Sequence, residues 1–225
     1  YYCIKKNEKL EKNIFELINT NPLFIKFKDK IIFHLDTNIK GYRTIYLPLS
    51  QKCHIIGNYN NTLKDIIFIF HELGHCFQLL SNNIIYKDYA IPEFFACFNE
   101  ILMSKETNFH DNVLKLINNK ILESMCTYRF YEYLYSLDKF NKKKIEEKWQ
   151  ELCQIYNIKY KKEKWLEDFN SIENPQNILS YTIAYLVAFI LKNEDYSTFI
   201  TMYDNRELSL EELLKIIQTY VKTIY

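Results

Sequence analysis

Apolar positions along the chain change their spacing twice. Over residues 1–20, Leu10, Ile14, Phe15, Leu17 and Ile18 recur at helical spacing and predict an amphipathic helix. From about 24 to 57 the pattern becomes short β-branched and aromatic runs, at 31–35, 43–49 and 53–57, separated by turn residues. These predict a small sheet of two or three strands. From Thr62 onward nearly everything reads as helix. Thr62 with Asp65 three positions later resembles a capping box, opening a long helix that runs to about Asn82. A second helix starts near Pro92, a residue tolerated at a first helical position, and runs to about Ser104. Amphipathic patterns follow at about 110–138, 142–156, 177–193 and 207–223. No repeat, low-complexity linker or domain boundary interrupts them. The expectation is one mainly α domain over residues 1–225, with a small β-sheet ahead of its central helix.

Composition narrows the classes. At 225 residues, 48% hydrophobic and 25% charged, the chain can bury one good core and is ordinary for a globular protein. Basic and acidic residues nearly cancel, 29 against 28, so nothing directs it to nucleic acid or an anionic membrane. The lysine runs at 141–148 and 159–164 read as solvated helix faces and loops. Three glycines, Gly41, Gly57 and Gly74, are too few for a phosphate-cradling loop. The aromatic share of 16% suits a peptide groove and half-buried helices alike. Six cysteines without a CxxC pair or short-spaced framework predict free thiols in a reducing compartment, hence a cytoplasmic protein. The apolar run at 185–191 is far too short for a membrane span. The first residue is Tyr1 rather than Met, which predicts a processed or truncated piece of a longer architecture.

The chemistry concentrates at residues 68–80, "FIFHELGHCFQLL". His71 and His75, four apart on a helix, project to the same side on successive turns. Two imidazoles so placed can ligate one Zn²⁺, and Glu72 then stands beside the metal, where it can take a proton from a zinc-bound water. Chance produces an HExxH match only about 0.01 times in a chain of this composition, so coincidence is the weaker explanation. The apolar run at 66–70 leads the helix into the interior. A catalytic zinc needs a third protein ligand. Glu93 is the best candidate: it lies on an otherwise apolar helix, where an unpaired carboxylate costs several kcal/mol. It shares a face with Ala96, Cys97 and Glu100. Glu100 reads either as a carboxylate orienting a ligand histidine or as an ordinary surface residue. His34, His54 and His110 read as structural or surface histidines, and Cys76 as a core residue.

The stretch from Gly57 to Ser81, followed by Asp88 to Leu102, resembles the oligoendopeptidase F branch of the thimet-oligopeptidase family. The shared signature is an Asn-aromatic-Asn-x-Thr-Leu-x-Asp run into HELGH, then Asp-Tyr, the ligand glutamate, and Asn-Glu six and seven positions on. Here these are Asn58 to Asp65, His71 to His75, Asp88 and Tyr89, Glu93, Asn99 and Glu100. The resemblance is strong over about 41–135 and traceable to about 195. It implies a zincin-like, mainly helical metallopeptidase that cleaves short peptides with one Zn²⁺ per chain. It further implies His71, His75 and Glu93 as ligands and Glu72 as general base. The strand before the motif helix, about Cys53 to Gly57, would receive substrate backbone as an added strand. Tyr181 and Tyr185 match the family's late tyrosines, which hydrogen-bond the oxyanion.

Two departures accompany the match. The family's late histidine is absent, with Gln176 or Ser171 near its place, and Gln78 stands where some members have a further histidine. The family's chains are also much longer. These departures carry a rival expectation: a degenerate pseudo-peptidase that binds zinc and peptide without turnover.

Overall fold

The structure is a computed structural model that describes residues 14–36, 38–60, 62–82, 84, 86–166, 175–204 and 208–224. Short helices α1 (Ile14–Thr20) and α2 (Pro22–Phe27) lead through one 3-10 turn into strands β1 (Ile31–His34), β2 (Tyr42–Leu47) and β3 (Lys52–Gly57). Among the described residues seven helices follow: α3 (Leu63–Asn82), α4 (Ala90–Ser104), α5 (His110–Tyr135), α6 (Lys142–Ile155), α7 (Pro175–Ile190), α8 (Tyr196–Asp204) and α9 (Leu210–Ile224). The mainly α class with a small sheet before α3 is therefore as expected. The first part of the helix predicted over 1–20 lies outside the described residues.

Local chemistry sets the helix starts. The Thr62 N–H donates to Asp65 Oδ2 at 3.0 Å while Thr62 Oγ1 accepts from the Asp65 N–H at 3.2 Å, so the capping box forms. Ser209 and Glu212 repeat that reciprocal pattern at α9. Helix α4 begins two residues before Pro92, with Asp88 Oδ1 accepting from the Ala90 N–H at 2.8 Å. Proline is accommodated because the first-turn N–H groups need no helical partner. Helices α2 and α8 do not show in the apolar pattern. Both are capped by side chains instead: Asn21 Oδ1 accepts from the Leu23 and Phe24 N–H groups, and Asp195 Oδ1 from those of Ser197 and Thr198.

The sheet order is β1-β3-β2, with β1 parallel and β2 antiparallel to β3. Alternation sends Ile31, Phe33, Tyr42, Thr44, Tyr46, Cys53 and Ile55 inward, toward α3. One expectation is corrected by this order. Strand β3, Cys53 to Gly57, is paired on both sides and has no edge to offer a substrate strand. Among the described residues the edge strands are β1 and β2, and β2 is the one packed on α3.

Helices α3 and α4 pack against each other, and α7 covers α4 and α5. Nearly all of α4 is buried, including the polar residues Glu93, Asn99, Glu100 and Ser104. A second apolar cluster joins the far half of α5 to α6 through Phe130, Trp149 and Trp165. Among the described residues, no helix is long and apolar enough to cross a membrane. Cys53, Cys76, Cys97, Cys126 and Cys153 are buried free thiols.

Candidate metal centre

The close approach of α3 and α4 brings the predicted ligands together. Glu93 Oε2 lies 3.4 Å from His71 Nε2, and Glu93 Oε1 lies 3.7 Å from His75 Nε2. All three residues offer ligand atoms within 4.8 Å of one another. Glu93 is 8% exposed, and its Oε2 is buried without a hydrogen-bond partner. A buried carboxylate with one oxygen toward each of two imidazole nitrogens is a place where a shared cation is favoured. Two imidazole nitrogens and a carboxylate oxygen are the protein donor set of a catalytic Zn²⁺. The residues fit that metal.

A second trio, His71, Cys97 and Glu100, is also close enough to share an ion. It fits less well. Burial pushes the Cys97 thiol up to about 12, so without a metal it stays protonated. Glu100 is engaged through one oxygen, while its Oε2 is buried without a hydrogen-bond partner. Its Oε1 lies 2.6 Å from His71 Nδ1 and 3.8 Å from Lys120 Nζ.

Glu100 is 0% exposed, which excludes the surface reading considered from sequence and fixes the His71 ring from behind. Asn99 ties the helices at the same level, its Nδ2 donating to the Phe70 carbonyl at 2.6 Å. Lys120, on α5, was not singled out in the sequence; its Nζ also lies 4.7 Å above the Tyr185 ring.

Electrostatics separate the two histidines. Burial opposes charge on His71, but hydrogen bonds to Cys97, Glu100 and Glu93 outweigh it and raise its pKa well above the usual value. Burial and then the neighbouring His71 lower His75 to about 4, so its imidazole is neutral near pH 7. Burial favours the protonated form of Glu93, yet the neighbouring His71 and then His75 hold its pKa below the carboxylate norm. The cluster attracts positive charge.

Glu72, next to the cluster, is 7% exposed, and burial raises its pKa against the pull of His71 and Thr44. Thr44, on β2, donates to Glu72 Oε2 at 2.7 Å, a contact invisible in the sequence. Tyr181 is 39% exposed; burial and then Glu93 raise its pKa to about 12, so it remains a donor. Tyr185, one turn on, is enclosed beneath Lys120.

The remaining candidates lie elsewhere. His34 Nε2 and His54 Nδ1 share a hydrogen bond at 2.9 Å across β1 and β3. His110 begins α5 rather than sitting in a loop, 2.8 Å from Ser104 Oγ. Cys76 is fully buried, as expected for a core residue. Gln78 donates to the Ile84 carbonyl at 2.7 Å, a structural role. Ser171 and the Gln176 side chain fall outside the described residues.

No family model and no curated protein matches the sequence. Solved structures do match. A Bacillus anthracis str. Ames protein assigned as an oligoendopeptidase F superposes with a TM-score of 0.60 at 15% identity, over 92% of this chain and 41% of that one. PZ peptidase A, solved with an inhibitor, gives a TM-score of 0.59 at 16% identity, over 92% of this chain and 44% of that one. The chain has their fold. It spans about two fifths of their length, and at such identity the likeness is one of architecture.

Proposed function

We propose that the chain is the catalytic portion of a zinc metallopeptidase of the oligoendopeptidase type, hydrolysing short peptides. What carries this reading is the buried Glu93 carboxylate, set with Oε2 against the Nε2 of His71 and Oε1 against the Nε2 of His75. The fold shared with two peptidases supports it.

His71, His75 and Glu93 would hold one Zn²⁺ per chain, which when bound supplies Lewis-acid polarisation of the scissile carbonyl and lowers the pKa of water. Glu72 is the general base: its carboxylate accepts the proton of the attacking water and returns it to the leaving amine. The burial that raises its pKa brings it nearer the value an acid-base shuttle needs. The Tyr181 hydroxyl, half-exposed beside Glu93, donates to the carbonyl oxygen as charge develops there. Tyr185 stands one turn behind it. The peptide lies along the open edge of β2, pairing its backbone with Tyr42–Leu47. Neither nucleic acid nor membrane has a part in this scheme.

Metal analysis and a quenched fluorescent peptide test the proposal together. Wild type should carry one zinc and cleave, and Glu72→Gln should keep zinc and lose cleavage. Full activity in that variant ends the mechanism, and a zinc content unchanged in His75→Ala ends the metal site. The rival is a chain that binds zinc and peptide without turnover. All five histidines lie before Asp111, so no late histidine assists the oxyanion, which favours that rival. A zinc-loaded wild type that binds peptide without cleaving it would establish the rival.

A further inference from the structure

We propose that Thr44 is a positioning residue for Glu72, fastening the substrate-receiving edge strand to the base that handles the proton; this rests on the peptidase reading above. Thr44 Oγ1 lies 2.7 Å from Glu72 Oε2 and 3.0 Å from the Glu72 carbonyl oxygen. A hydroxyl has one proton to give, and the shorter contact to a charged acceptor is the stronger. Cys76 Sγ, one helical turn along α3, is 3.9 Å from the same hydroxyl.

Thr44 is well suited to holding a carboxylate still. Its backbone is fixed by the antiparallel ladder opposite Ile55. Its β-branched side chain is stiff at χ1, so strand and rotamer together aim the hydroxyl. Glu72, by contrast, ends in a carboxylate torsion that is broad and two-fold when unrestrained. Capture of Oε2 stops that rotation and leaves Oε1 to meet the reacting water. Alternation along β2 turns Thr44 toward α3, while Arg43 and Ile45 face solvent. A peptide pairing along the free edge of β2 therefore registers against the residue that aims the base. Substrate alignment and base alignment share one strand.

The test is a Thr44 series in zinc-loaded protein. Thr44→Val keeps the shape and removes the donor; kcat should fall about tenfold to a hundredfold, as for loss of a hydrogen bond to a charged group. KM and zinc content should be unchanged, and Thr44→Ser should restore the rate. If the valine variant does not fold, Thr44→Ala removes the same donor. A kcat unchanged in both donorless variants, or a serine variant as slow as valine, overturns the proposal. A second readout does not need turnover. Thr44→Val should lower the melting temperature more in wild type than in a Glu72→Ala background, where only the backbone carbonyl remains as acceptor; equal effects in both backgrounds overturn the contact. A wild type that cleaves nothing refutes the peptidase reading, while this cycle still decides Thr44.

Discussion

Gly74 lies so close to Ala96 that a Cβ placed on it would come within 2.6 Å of the Ala96 Cα and 2.8 Å of the Phe95 carbonyl oxygen. The two helices that carry the proposed ligands thus touch backbone to backbone, one residue before His75 and three after Glu93. Gly74→Ala must move α4 away from α3, because neither contact is a flexible side-chain end. The expected loss of stability is about 1–3 kcal/mol, the usual cost of overpacking, measured by denaturant unfolding. Zinc affinity should fall with it, since Glu93 moves off the histidines.

In the proposed metal site Glu100 would act through His71, whose Nδ1 it holds. Glu100→Gln keeps the volume but changes the acceptor at His71 Nδ1 and the partner of Lys120. Zinc affinity should weaken about 10–100-fold in a chelator competition, the range found when groups behind a ligand histidine are altered. Unchanged affinity would mean that the contact does not orient the ring.

Zinc uptake should release one proton, not two, near neutral pH. His71, its pKa raised well above 6.5, carries a proton that must leave before its nitrogen can ligate. His75, lowered to about 4, is already neutral. Apparent affinity therefore strengthens as pH rises toward the His71 pKa and weakens as pH falls. Calorimetric titration in two buffers of different ionisation heat counts the protons directly.

Tyr181→Phe removes only a hydroxyl. Zinc content and fold should persist while the rate of peptide cleavage drops by about 10²–10³, the cost of an oxyanion donor. Tyr185→Phe, in its enclosed position, should affect stability more than rate. The reverse ranking would exchange their roles.

What the sequence disclosed about the site was whatever lies within one helix. His71 and His75 are a turn apart, Thr62 and Asp65 cap the same helix, and Glu93 and Glu100 share one face. The 28 residues separating Thr44 from Glu72 leave no local signal, because the hydroxyl reaches the base only after β2 has folded over α3. Lys120 sits in an ordinary amphipathic pattern and gains its role from the packing of α5 against α4 and α7. Strand order was hidden for the same reason. In β1-β3-β2 the strand just before α3 is central, which no spacing rule shows. Helices α2 and α8, at 6 and 9 residues, are too short for periodicity and announce themselves only through Asn21 and Asp195.

Buried residues of α5 belong to both apolar clusters. Val113, Ile117 and Ile121, from the first half of α5, belong to the interior that holds the ligand helices, while Cys126, Phe130 and Tyr131 belong to the other with Trp149 and Trp165. Each cluster can therefore open with its own free energy. In hydrogen exchange, zinc should slow the amides of α3 and α4 far more than those of α6. Protection along α5 should grade from one end to the other, making that single helix a gauge of how far the influence of the metal extends.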